Sequence, residues 1–228
     1  RKSAGTLPGH PVESSGLIIH APQEADPRLA YKVELHANML EHWTMIVDAN
    51  DGTVVSQHNH ICMAAVQGSG TDVGGAQQPI DLWQHNDGFF YMTDTTQPMY
   101  DQTSNPPLLQ NSRGVIKITD ANNQKPDGAN VSFNDVRSNS STSGFSAEAV
   151  SASRNLASVY NYYRERFKRN AIDGQGGSIL GVVNVQMNNA FWNGKYIALG
   201  NGDTWAHSLD FNAHEMTHGV ITSTSNLV

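Results

Sequence analysis

His214-Glu215-Met216-Thr217-His218, preceded by Ser208-Leu209-Asp210-Phe211-Asn212-Ala213 and followed by Gly219-Val220, is the stretch that decides how this chain reads. Ser208 stands where a helix N-cap would, and Asp210 falls in the first turn, where a negative charge complements the helix dipole. Leu209, Ala213, Met216 and Val220 recur at three- and four-residue steps as an apolar stripe. The segment is therefore expected to be a helix that begins near Ser208.

Residues four apart on a helix stack on one face, about one turn along the axis. His214 and His218 can thus turn both imidazoles toward one metal ion. Two neutral histidine nitrogens suit Zn2+, which accepts tetrahedral sites and has no redox chemistry. Glu215 follows the first histidine by one helical step and reaches a water on the metal without becoming a ligand. Zinc lowers the pKa of that water, and the carboxylate takes its proton as it attacks a peptide carbonyl. The chain has ten histidines, so the pattern can also arise by accident, and the others are read as structural or exposed. His58-x-His60 could face one side of a strand, but it is read as part of a junction rather than as a metal site.

Upstream, a long helix is expected from Ala149, with Ala152, Leu156, Val159, Tyr160, Tyr163 and Phe167 on its apolar face. Ser146 is its N-cap candidate, Glu148 suits its first turn, and Arg164 to Arg169 suits its C-terminus. Strands are expected at 182–186 and 196–199. Earlier, 80–84, 88–93 and 114–119 read as short strands, and 120–144 as loop with at most a short strand. Gly68-Ser69-Gly70-Thr71 and Gly74-Gly75 read as a flexible junction. Before it, Leu29, Tyr31, Val33 and Leu35 alternate on one face. A hairpin is expected across the turn Asp48-Ala49-Asn50-Asp51-Gly52. The expected class is α+β: a small α/β unit over residues 1–60, then a β-rich lobe over 61–228 with two long helices, the second carrying the histidines.

Composition narrows the function. The chain of 228 residues carries 14 basic and 21 acidic side chains, a formal net charge of −7. No run of Lys or Arg exceeds two, so no electrostatic footprint for nucleic acid is present. No apolar stretch approaches the length of a membrane-spanning helix. Cys62 is the only cysteine, which excludes an intramolecular disulfide and a cysteine-based zinc knuckle.

Asn188-Asn189-Ala190-Phe191-Trp192-Asn193-Gly194, followed by His214-Glu215-Met216-Thr217-His218-Gly219-Val220, closely resembles the thermolysin and vibriolysin peptidases. Val159-Tyr160-Asn161-Tyr162-Tyr163 resembles the family's upstream helix, and Gly68–Thr71 and Asp87–Asp94 the start of its mature enzyme. Pro27-Arg28-Leu29-Ala30-Tyr31 and the Val47–Gly52 turn are similar to the end of its pro-segment.

The resemblance implies a secreted, monomeric zinc endopeptidase, with His214 and His218 as zinc ligands and Glu215 as general base. Asn189 and Ala190 would bind a peptide backbone by β-strand addition, and Phe191 and Trp192 would shape neighbouring subsites. Asp210 matches a calcium-binding position. Residues 1 to about 60 would be the tail of a pro-segment that assists folding and inhibits the enzyme until cleaved between His58 and Gly68. The family's third zinc ligand, a Glu on the next helix, its transition-state-stabilising His and its helical C-terminal domain would fall beyond Val228, leaving this chain alone inactive. Gly200-Asn201-Gly202-Asp203 departs from the family's more acidic run, so calcium is not carried over there. The alternative is a non-catalytic remnant or a pro-segment-type inhibitor and folding assistant.

Overall fold

A computed structural model describes residues 12–21, 26–38, 41–59 and 64–225. Two compact units divide the chain, Arg1–Met63 with Asn86–Gly88, and Ala64–His85 with Phe89–Val228. His60 and Cys62 lie outside the described residues.

In the first unit β1 (Val12–His20), β2 (Arg28–Asn38), β3 (Glu41–Asp48) and β4 (Val54–Asn59) form an antiparallel meander in sequence order. The β3–β4 hairpin is closed by the expected turn. Asp48 Oδ1 accepts the Asn50 N–H at 2.8 Å, Asp51 Oδ1 accepts the Thr53 N–H at 2.9 Å, and Gly52 takes φ +79°, which favours glycine. The alternation along β2 holds, but the face it defines is only partly covered. Leu35 is 4% exposed, whereas Leu29 and Tyr31 are 46% and 44% exposed, paired across the sheet with the exposed Ile19 and Leu17. No helix lies among the described residues of this unit, which are strand and turn.

The second unit opens with β5 (Ala64–Thr71) and β6 (Gln77–Gln84), a hairpin, followed by β7 (Phe90–Tyr91), β8 (Thr93–Asp94), β9 (Ile116–Asp120), β10 (Asn134–Asp135) and β11 (Arg137–Ser138). The expected flexible junction at Gly68–Thr71 is therefore a strand. Its glycines serve close packing: a Cβ at Gly68 would lie 2.1 Å from Ser141 O and 2.5 Å from Leu82 Cδ1, and one at Gly70 would lie 2.5 Å from Val150 Cγ2. Gly74 and Gly75 form the hairpin turn, where the Gly75 N–H donates to Asp72 O at 2.9 Å.

Helix α1 (Ala147–Phe167) follows, then β12 (Ile179–Val185), β13 (Ala190–Trp192), β14 (Ile197–Gly200) and helix α2 (Leu209–Thr222). One sheet runs β11-β7-β6-β5. The other runs β10-β9-β12-β14-β13, with β8 also on β9. Strands β9, β12 and β14 are parallel, and β13 turns back antiparallel on β14 as the last strand. The sheet is buried on both faces. Ile179, Val183, Ile197 and Leu199 join the core beneath α1, while Leu180, Val182, Val185, Tyr196 and Ala198 build a second cluster on the other side. Burial on both faces accounts for the near-continuous apolar run of β12. Helix α1 begins as expected, with Ser146 Oγ accepting the Ala149 N–H at 3.3 Å, and ends on Lys168 in the left-handed region.

Candidate metal and peptide site

Helix α2 packs on α1, β13 and β14. The face it buries follows the expected Leu209–Ala213–Met216–Val220 stripe only in part, at Met216 and at Ala213, which is half-buried against the same core. Asn212, Glu215, Met216 and Gly219 are buried, at three- and four-residue steps, and Leu209 is 48% exposed. A polar residue holds a core position because its amide serves the chain entering the helix. Asn212 Nδ2 donates to Ser208 O at 2.8 Å, Trp205 O at 3.2 Å and Ala206 O at 3.3 Å. Ser208 precedes the helix in extended backbone, but its side chain makes no cap bond, so the expected N-cap is one in position only. Asp210 is exposed in the first turn, the placement that complements the dipole.

The helix brings its two histidines together as the spacing requires. His214 Nε2 and His218 Nε2 are 3.0 Å apart, with ring centroids at 4.6 Å and ring planes at 85°. Both rings are exposed, while Glu215 between them is 7% exposed. One ligand atom from each of the three lies within 4.8 Å of the others, the one group of three metal-ligating side chains among the described residues. The donor set fits zinc. Two nitrogens at ~2.05 Å in a tetrahedral shell stand about 3.3 Å apart. The observed pair needs to part by only a few tenths of an ångström. Asp210 belongs to no such group, so the described residues offer a cation there one carboxylate.

Strand β13 delivers Ala190, Phe191 and Trp192 at the edge of the mixed sheet. Alternation sends them to different places. Ala190 and Trp192 pack with the core that includes Met216, whereas Phe191 packs with the second cluster on the opposite face. The strand and the histidine helix meet at Gly219: a Cβ there would lie 2.7 Å from Ile172 Cγ2 and 3.2 Å from Trp192 Cε2. The Trp192 indole N–H is buried without an acceptor among the described residues. Asn189 is exposed just before the strand, its carbonyl accepting the Gly200 N–H at 3.0 Å. Its neighbour Asn188 accepts from Trp205 Nε1 at 3.1 Å, and Trp205 lies tilted at 43° against Phe211 of α2, 4.3 Å between centroids.

Sequence reading missed the polar residues that hold α2. Asn155 of α1 donates to Ala206 O and His207 O at 3.0 and 2.9 Å. The Tyr163 hydroxyl lies 2.7 Å from Thr217 Oγ1. Arg169, just after α1, donates to Ser223 Oγ at 2.9 Å. Only Asn212 left a trace in the sequence, as an amide in step with Met216 and Gly219.

The catalytic-domain model of the thermolysin metallopeptidases matches residues 67–222. Bacillolysin of Bacillus subtilis (strain 168) is 35% identical over 210 residues, covering 88% of this chain and 37% of its own length. Neutral protease B of the same strain is 31% identical over 226 residues, covering 95% and 40%. Neutral protease NprE of Bacillus pumilus is 35% identical over 172 residues, covering 72% and 52%. This chain thus spans well under two thirds of each of these relatives. The solved precursor of protealysin, a metalloproteinase from Serratia proteamaculans, matches 49% of this chain and 35% of its own at 30% identity, with a TM-score of 0.43. The family match contains both histidines, the glutamate between them and the edge strand, and it covers more than half of the sequence: the chain belongs to the thermolysin family of metallopeptidases.

Proposed function

We propose that the protein carrying this chain is a secreted, zinc-dependent endopeptidase made as a precursor, with His214 and His218 as metal ligands and Glu215 as general base. The observation that carries the reading is the pair of Nε2 atoms 3.0 Å apart with a buried carboxylate on the same helical turn. Bound zinc supplies a Lewis acid that activates water near neutral pH and polarises a peptide carbonyl. Glu215 takes the proton of the attacking water and passes it to the leaving amine. Its place between the two ligands keeps the carboxylate within reach of the reacting atoms, and its buried setting limits competing solvent.

Ala190 presents its backbone at the open edge of the sheet and Asn189 its exposed side chain, and the substrate peptide adds as a further strand. Trp192 walls the site beside Gly219, and Phe191 braces the same strand from the other face. Asp210 contributes one carboxylate to a calcium site completed by other parts of the protein. Residues 1–60 form the tail of a pro-segment that inhibits the enzyme. In support, the strand unit up to Met63 is separate from the unit carrying the histidines, and the catalytic-domain match begins only at residue 67.

In the full-length protein, Glu215→Gln is expected to lower kcat/KM on an internally quenched peptide by about 10²–10⁴-fold. Zinc content per molecule should stay unchanged. Wild-type turnover in the variant, or loss of zinc together with activity, removes Glu215 from this role.

A further inference from the structure

Four of the ten histidines, His20, His36, His42 and His58, lie in the strands of the first unit. His58 thus belongs to β4 rather than to a junction, and backbone register gives its neighbours. His36 of β2 stands directly opposite His42 of β3. His58 stands opposite Thr44, two residues along β3 from His42. Positions alternate between the two faces along a strand, so 36, 42, 44 and 58 share one face, at one end of the sheet.

The kind of pair decides how close two of them come. The Ala49 N–H donates to Leu29 O at 3.0 Å, one step beyond the pair Ala30–Asp48. Hydrogen-bonded and non-hydrogen-bonded pairs alternate along an antiparallel ladder. The register is unbroken from Ala30 to His36, so the pair His36–His42 is of the non-hydrogen-bonded kind. In such pairs the Cα atoms approach to about 4.5 Å and the side chains are at their closest. His58 is the diagonal neighbour of His42, at about 7–8 Å, a spacing that longer side chains bridge. Glu34, two residues before His36 on the same face, is engaged by Lys32 Nζ at 2.8 Å and by Ser14 Oγ at 3.1 Å. The donors gathered at this end of the sheet are therefore imidazoles, which suit Zn2+.

The packing of the unit shows what an ion would add. Its described residues form four strands without a helix, and Leu17, Ile19, Leu29, Tyr31 and Val54 are exposed. A small unit with so little covered apolar surface is marginal, and a bound metal is a common remedy. An ion held by one residue from each of three strands ties them together, and its binding free energy adds to that of folding.

We propose that His36, His42 and His58 form a zinc site on one face of the first unit's sheet, fastening β2, β3 and β4 to one another. It is separate from the pair on α2 and does not depend on the role given to that pair.

The test uses the full-length protein carrying Glu215→Gln, so that the activity proposed above cannot cut the first unit away. Zn2+ per molecule is measured after dialysis at micromolar free Zn2+, and amide hydrogen exchange over residues 28–59 is followed with and without the ion. Adding His36→Gln, His42→Gln or His58→Gln should each remove one Zn2+ per molecule and abolish the slowing of exchange that Zn2+ produces in β2–β4. His20→Gln should change neither. Its position opposite Arg28 is on the same face but roughly 26 Å along the sheet from His36. An unchanged Zn2+ content in any of the three variants overturns the proposal, as does loss of the ion in His20→Gln. If a variant does not fold, exchange in the protein with all its histidines decides: slowing over 28–59 by Zn2+ upholds the site, and exchange there that ignores Zn2+ overturns it.

Discussion

The two helices of the second unit are held by different means. Helix α1 buries Ala149, Val150, Ala152, Leu156, Val159 and Tyr160, starts on a serine whose side chain caps it, and ends on a left-handed Lys168. Helix α2 buries an asparagine, a glutamate, a methionine and a glycine, and is anchored at its start, middle and end by directed bonds to neighbouring segments. The helix that scaffolds the fold uses apolar area, which is strong and tolerant of small rotations. The helix that presents the histidine pair relies more on hydrogen bonds, which add little net stability but specify angle.

Truncation should expose this contrast most strongly. Leu156 is fully buried, and its Cδ1 lies 2.8 Å from where a Cβ on Gly181 would sit. Leu156→Ala should cost about 2–5 kcal/mol by urea denaturation, through lost transfer energy and the cavity left behind. Leu209→Ala, at the half-exposed start of α2, should stay within ~0.5 kcal/mol. Comparable losses at the two sites would mean that α2 is seated by apolar packing after all. The caps should repeat the pattern on a smaller scale. Ser146→Ala removes a bond to the Ala149 N–H and should cost about 1 kcal/mol. Ser208→Ala, which removes no cap bond, should be close to neutral in the same titration. A Ser208→Ala loss as large as that at Ser146 would place a cap there in solution and narrow the difference between the helices.

The same contrast explains what could be read in advance. Helix α1 was legible through Leu156 and Tyr160 because burial imposes a period on apolar residues. The histidine pair is legible from its four-residue spacing alone, which stacks both rings on one helical face whatever the packing. The buried face of α2 is legible only through Met216 and Ala213, because Asn212 and Gly219 carry no apolar signal, and Leu209, which does, lies outside the core. Gly68–Thr71 reads as a linker in the sequence for a related reason. Glycine marks close approach as often as it marks freedom, and the atoms that crowd Gly68, from Leu82 and Ser141, are distant in sequence. Tyr163 read as one more apolar residue of α1, since nothing local shows that its hydroxyl meets a threonine 54 positions on.

The smallest expected effect bears on how the approach to α2 responds to acid. Asp72, in the β5–β6 turn, accepts the Gln78 side-chain amide at 2.6 Å and the Ala76 N–H at 2.9 Å. These two bonds, the first the larger, hold its carboxyl below the ordinary value of 3.8 against the opposing effect of burial. A carboxyl lowered by folding contributes stability above its unfolded pKa and loses that contribution as pH falls through its folded one. The same turn reaches both helices. The Val73 N–H donates to Ser151 Oγ of α1 at 3.1 Å, and a Cβ on Gly74 would lie 3.2 Å from the ring of His207, just ahead of α2. Protonating Asp72 should therefore loosen both contacts, but α1 retains its apolar core while the entry to α2 has mainly hydrogen bonds to rely on. Below about pH 4, amides at 206–212 should gain hydrogen exchange before those at 149–160. Asp72→Asn, which keeps an acceptor oxygen but cannot titrate, should flatten that onset. Exchange that rises first in α1, or an onset unchanged in the variant, would show that the acid response of this region originates elsewhere than at Asp72.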